Sequence, residues 1–273
     1  MTATAPMAPV RYQAPVRYRP ARDSALIAGR NLRVLRKNPG RMIYPLVQPL
    51  VLLVMFVSVF GNLAVTGHAA GASGTYREFL IPGIIIENAT LTAPTTGLAL
   101  LRDASSGLAD RFRSLPMARA AVLAGRLASD AIVFAVQAVL LLALATLLGF
   151  RVRDGLAGLA AITAVTVAFA VSVAVLSAWL ALLINDQETA ERVLFFPAIA
   201  LAFVSSAFAP VADLAGWMQP AARVNPVTAA AAVIRSLASG GALAAPLLEL
   251  GCWTAVLILI PGTLAARRWH AAR

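Results

Sequence analysis

Long apolar runs separated by short clusters of charge make up most of this chain. Apolar residues dominate six stretches, at 42–61, 79–101, 131–150, 157–184, 193–210 and 246–266. A helix crossing a bilayer needs roughly 20 mainly apolar residues, so each stretch predicts a membrane-spanning helix. The fold class expected is all-α integral membrane with six transmembrane helices. The fourth run is longer than a perpendicular crossing requires and predicts a tilted or projecting helix, whereas the fifth is the shortest. Ahead of the first run, Ala25, Ala28, Leu32 and Leu35 fall on one helical face and Arg30, Arg33 and Lys37 on the opposite one. Asp23 or Ser24 is placed to cap this helix and Pro39-Gly40 to end it. A basic amphipathic helix before a membrane span predicts a segment lying in the headgroup layer. Between the fifth and sixth runs, residues 211–245 carry Trp217, Pro220, Pro226 and several apolar residues but no span-length run. Short helices re-entering the outer leaflet fit that pattern, provided protein or water covers their irregular backbone.

Residues 1–20 contain Pro6, Pro9, Pro15 and Pro20 with no periodic pattern, which predicts a disordered N-terminal tail. That leaves 21–273 as one transmembrane domain. The basic region is too long, and the apolar run after it too extended, for a cleavable signal peptide.

Composition agrees with the pattern. The chain is 60% hydrophobic and 13% charged, with a mean hydropathy of +0.79. A soluble domain carries about 25% charged residues. A net charge of +11 and a pI near 11.4 raise the question of nucleic acid. Position answers it, because the basic residues lie between the apolar runs and not along a soluble face. With the N-terminus inside, segments 1–41, 102–130, 185–192 and 267–273 hold 18 of the 23 Lys and Arg. This bias predicts both termini in the cytoplasm. The abundance of Arg, Ala and Gly beside a single lysine points to a bacterial source, hence to the inner membrane.

The chemistry-bearing residues are few. Lys37, the only lysine, stands between Arg36 and Asn38-Pro39 and cannot complete a phosphate-binding Gly-x-x-x-x-Gly-Lys-Ser/Thr loop. Cys252 is alone, so there is no disulfide framework, and its apolar surroundings predict a small buried residue. His68 and His270 are isolated, which leaves no metal site and no nucleophile–base constellation for an enzyme. Glu87, with Asn88, lies within the second run, and an intramembrane carboxylate is by default a functional hypothesis. Glu87 and Asn88 are therefore candidates for a substrate path or a subunit interface. Glu249 is expected at the outer membrane interface. The loop 102–130 alternates charge with Leu108, Phe112 and Leu115, helical patterns flanking Pro116, and suits contact with a partner protein.

Three stretches together resemble the ABC-2 type permeases, in particular the daunorubicin/doxorubicin-resistance subfamily. Phe79-Leu80-Ile81-Pro82-Gly83-Ile84 is similar to the family's signature at the start of span two. Gly107, Arg111, Leu115-Pro116, Arg119 and Gly125-Arg126 resemble its cytoplasmic loop, and Pro210, Trp217, Asn225-Pro226-Val227-Thr228, Arg235 and Gly240 resemble the segment before its last span. Asp103-Ala104-Ser105-Ser106-Gly107-Leu108 departs from the Glu-Arg-x-x-Gly-Thr of many relatives. The resemblance implies a permease, not an enzyme, that pairs with a second permease copy or paralogue. Separate cytoplasmic ABC ATPase subunits would bind ATP and Mg, and this chain would carry no cofactor. It also implies export of amphiphilic antibiotics, lipids or glycolipids. Gly107, Arg111, Pro116 and Arg126, with Arg33 of the amphipathic helix, become candidates for coupling to the ATPase. Phe79, Pro82, Gly83, Asn225 and Pro226 become shape-setting positions. A secondary transporter or channel built on Glu87 is the alternative.

Overall fold

The computed structural model of the chain describes residues 20–37, 40–60, 76–105, 119–184 and 186–271. Everything regular among them is helical. In chain order the helices are α1 (Pro20–Lys37), α2 (Gly40–Phe60), α3 (Tyr76–Thr92), α4 (Pro94–Ser105), α5 (Arg119–Leu147), α6 (Gly155–Ala181), α7 (Gln187–Phe203), a 3-10 turn at Val211–Asp213, α8 (Gln219–Arg223), α9 (Pro226–Ser239) and α10 (Ala244–Ala271).

Four segments are long and apolar enough to cross a membrane: Tyr76–Asp103, Leu123–Leu147, Gly155–Ala181 and Ala244–Pro261. The first combines α3 and α4 and is the most buried of the four, so it forms the centre of the bundle. Thirteen of the residues of α3, including Leu80, Ile84, Ile85 and Ile86, are buried. They pack with Leu53 of α2, Leu141 of α5, Phe169 of α6 and Ile234 of α9 into one core. The α3–α4 join at Ala93 is tight because Ser177 of α6 serves both sides of it. The Ser177 hydroxyl donates to the Pro94 carbonyl at 3.0 Å and accepts from the Gly97 amide at 3.1 Å. A Cβ on Gly97 would collide with Ser177.

The amphipathic helix begins at Pro20, three residues before the expected cap, so Asp23 and Ser24 lie inside its first turns. It ends at Lys37 as expected. Ile27 and Ala28 are buried, while Leu26, Arg33 and Lys37 are exposed. Its buried side packs on α5. Asp186 caps α7, its carboxylate accepting from the Thr189 amide at 2.8 Å. That hydrogen bond holds the Asp186 carboxyl below its ordinary range.

Two expectations need correction. The fifth apolar run, 193–210, is not one helix: α7 starts earlier, at Gln187, and stops at Phe203, and residues 204–210 are not helical. Cys252 is exposed, not buried. It lies on α10, where Leu248, Leu259 and Ile260 are also exposed. Its apolar neighbours face away from the bundle, and hydropathy cannot separate a helix facing its own core from one facing lipid or a partner. Glu249 is exposed on the same helix.

Candidate functional site

The non-helical stretch after α7 is where the sequence motifs converge. Backbone that leaves a helix in an apolar setting must find partners for its amides and carbonyls. Side chains from α3, from α9 and its cap, and from the stretch itself supply them here. Asn225, which caps α9 by accepting from the Val227 amide at 2.8 Å, donates its side-chain NH2 to the Leu201 and Val204 carbonyls at 2.8 and 2.5 Å. Pro226 follows at the first position of α9, where its missing N–H costs nothing. Thr228 accepts from the Ser206 amide at 3.0 Å. Ser205 donates to the Ala202 carbonyl at 2.6 Å and accepts from the Ala207 amide at 3.1 Å. Tyr76, at the start of α3, donates to the Phe208 carbonyl at 2.9 Å.

Arg235 of α9 closes this arrangement. Its guanidinium donates to the Phe79 carbonyl at 3.0 Å, to the Ser206 hydroxyl at 3.0 Å and to the Ser206 carbonyl at 2.6 Å. The same group lies 3.7 Å from the centre of the Phe79 ring, a cation–π contact. Pro82 explains part of the geometry: a proline within α3 interrupts the amide ladder in the turn where the Phe79 carbonyl accepts from Arg235. Gly83 explains the rest. A Cβ there would fall inside the Ala207 carbonyl group, so only glycine lets α3 press its backbone against the break. Phe79, Pro82, Gly83, Asn225 and Pro226 are thus brought together as one joint.

The sequence did not single out Tyr76, Ser205 or Ser206, and it marked Thr228 and Arg235 only as part of the stretch that resembles the family's segment before the last span. Arg235 stands late in α9 with its hydrogen bonds spent inside the joint. Its signal was a lone arginine directly after the apolar run Ala229–Ile234.

Helices α3 and α9 run in opposite directions. Arg235, late in α9, reaches Phe79, early in α3, while Thr228, early in α9, binds Ser206 beside the Ala207 that Gly83 touches. Glu87 is 1% exposed, and its Oε2 has no hydrogen-bond partner. Asn88 accepts from the Thr92 hydroxyl at 3.4 Å. Buried polar atoms without partners also occur on Gln137 and Trp179.

A second cluster joins α1, α4 and α5. A Cβ on Gly125 of α5 would lie 2.7 Å from the Ser24 carbonyl oxygen and 2.8 Å from the Ile27 Cβ, so the glycine is what seats α1. Asn31 of α1 donates to the Ser129 hydroxyl at 3.2 Å, and that hydroxyl donates to the Arg126 carbonyl at 2.7 Å. Arg126 pairs with Asp130 at 2.9 Å, and the same Asp130 oxygen accepts from Thr96 of α4 at 2.8 Å. Arg102 of α4 reaches Glu191 of α7 at 3.4 Å, an exposed pair that contributes at most about 1 kcal/mol. Gly107, Arg111 and Pro116 lie outside the described residues, and Arg33 is exposed on α1 beside the cluster.

Residues 24–238 match the family model for ABC-2 type transporters, from α1 to the end of α9. The chain is 30% identical to the daunorubicin resistance ABC transporter permease protein DrrB1 of Streptomyces coeruleorubidus, over 88% of this chain and 82% of that protein. It is 32% identical to the probable doxorubicin resistance ABC transporter permease protein DrrC of Mycobacterium tuberculosis, over 82% of this chain and 80% of that one. A putative transport permease, ycf38 of Cyanophora paradoxa, is 24% identical over 75% of this chain.

Proposed function

The chain belongs to the ABC-2 type transporter family, and from that premise we propose that it is the membrane half of an ATP-driven exporter of amphiphilic molecules. Its relatives' names point to antibiotics of the anthracycline kind, with lipids or glycolipids as the wider class. Nucleotide would be hydrolysed by separate cytoplasmic ATPase subunits, since the sequence offers no phosphate-binding loop. Two permeases, identical or paralogous, would share them in a bacterial inner membrane.

The proposed topology has six crossings, by α2, α3 with α4, α5, α6, α7 and α10, and both termini in the cytoplasm. Helix α7 has 17 residues, about 26 Å at 1.5 Å per residue, against about 30 Å of hydrocarbon. The joint after Phe203 would complete that crossing from the outer side, with α8 and α9 as the re-entrant pair.

The observation that carries this reading is the seating of α1 on α5 at Gly125, beside the Arg126–Asp130–Thr96 link to α4. A push on α1, or on residues 106–118 with Gly107, Arg111 and Pro116, would move α4 and α5 as a unit. The motion would then pass through α3 to the outer joint. Gentle affinity purification of the tagged chain tests the partner: a stoichiometric P-loop ATPase is expected, and Arg111→Glu should reduce its recovery. Isolation of the chain alone, with transport indifferent to ATP, would transfer the weight to a secondary transporter. Gly125→Val tests the seat of α1 on α5. It forces α1 off α5 at a cost of about 1–3 kcal/mol and should uncouple ATP hydrolysis from transport while leaving membrane insertion intact. Wild-type coupling in Gly125→Val would remove α1 from the transmission path.

A further inference from the structure

We propose that the furrow between α6 and α10 is a resident site for one anionic glycerophospholipid, held as a fixed part of the protein and not as cargo. Its phosphate would sit on Arg153 and one acyl chain would lie along the furrow. The furrow encloses about 500 Å3, within the roughly 300–1,000 Å3 of small-molecule pockets. Val165 and Ala168 of α6 form one wall, and Leu247, Gly251, Ala255 and Leu259 of α10 form the other. A glycine on a membrane helix commonly lets a neighbouring helix approach closely. Gly251 does not serve that purpose, because a Cβ there would meet no atom within 4 Å. Its missing side chain widens the furrow instead.

Length and charge select the occupant. From Leu247 to Leu259 the furrow runs about 18 Å along α10, close to the roughly 15 Å of hydrocarbon in one leaflet. At the end where both helices begin, the chemistry changes. Arg153, just ahead of α6, donates its amide to the Ala238 carbonyl at 3.0 Å. Its guanidinium lies against Gly240, just ahead of α10, where a Cβ would fall 2.5 Å from Nη1. Both helices therefore leave from beside one arginine. Arg153 is exposed, and no ion pair engages it among the described residues. Together with Arg151 and Asp154 it gives this mouth a net positive charge. Glu249 does not offset that charge, because it falls on the face of α10 opposite the furrow. From Ala244 to Leu247 is about 5 Å, so the guanidinium stands above the apolar walls by about the depth of a headgroup layer, 5–8 Å. A planar guanidinium fork there matches a phosphate. The site requires only that the chain sits in a bilayer; naming its leaflet as the outer one rests on the proposed topology.

The test is native mass spectrometry of the full chain, purified in detergent with the partners it retains, stripped of lipid and titrated. The probes are phosphatidylglycerol and a diacylglycerol with the same acyl chains but no phosphate. Wild type should take up one phosphatidylglycerol per chain, at least threefold more tightly than the diacylglycerol. Arg153→Gln should erase that preference and leave diacylglycerol uptake unchanged. Gly251→Leu and, one turn on, Ala255→Leu should plug the furrow and weaken both lipids at least tenfold, with thermal midpoints close to wild type because each side chain enters open space. Uptake that never saturates at one lipid per chain, a preference that outlives Arg153→Gln, or undiminished uptake in both plugged variants would overturn the assignment. Dissociation of oligomers in the plugged variants with lipid uptake unchanged would also overturn it and give the furrow to a second copy of the chain. None of these outcomes touches the exporter reading, which stands or falls on recovery of the ATPase.

Discussion

Arg235→Ala should lower the unfolding free energy by about 2–4 kcal/mol, because three acceptors lose a charged donor at once. The Phe79 carbonyl and both oxygens of Ser206 are paired through that one guanidinium, which also covers the Phe79 ring. Phe79 and Ser206 are buried, so water is poorly placed to replace the lost bonds. Arg235→Lys should recover less than half of the loss, since an ammonium has no planar fork to span acceptors on two chain segments. Tryptophan fluorescence during thermal unfolding in detergent measures both variants. A midpoint for Arg235→Ala within about 2 °C of wild type would show that the clamp contributes little.

Gly83→Ala should be at least as damaging, for a different reason. The added methyl would meet backbone, not a side chain that can turn aside. The segment after α7 would have to move as a whole, at the cost of the Tyr76–Phe208 and Thr228–Ser206 bonds. Overpacking of this kind costs about 1–3 kcal/mol when the neighbour yields and more when it cannot. The obstruction is the Ala207 carbonyl, so the double variant Gly83→Ala, Ala207→Gly should be no better than the single one. Gly251→Ala is the matched control: a Cβ at Gly251 meets nothing, and alanine is the better helix former. Chromatographic homogeneity after heating would separate them. Rescue by Ala207→Gly would mean that the contact is side chain to side chain and that the close approach of α3 is misplaced.

What could be read from the sequence, and what could not, divides along physical lines. Helices α2, α5, α6 and α10 follow apolar runs whose length alone marks them. The break after Phe203 is hidden because Val204-Ser205-Ser206-Ala207-Phe208-Ala209 reads as acceptably helical and apolar. The groups that hold it open, Asn225, Thr228 and Arg235, come some 20–30 residues later in the chain. Local pattern cannot register a decision made at that distance. The motif positions Phe79, Pro82 and Gly83 were legible as shape-setting, but what they shape themselves around was not. Gly125 and Arg126 were legible as a pair, whereas Asp130 and Thr96, which tie them to α4, carry no local signal.

The exposed thiol on α10 is the chain's only cysteine. The unmodified protein therefore already carries one attachment point for a spin label or a fluorophore, on a helix whose outer face the bundle leaves uncovered. Two identical copies paired in a membrane would give one symmetric label-to-label distance, while a pair with a cysteine-free paralogue would give none. A spectroscopist could ask whether the transporter is built from one gene product or two before changing a single codon.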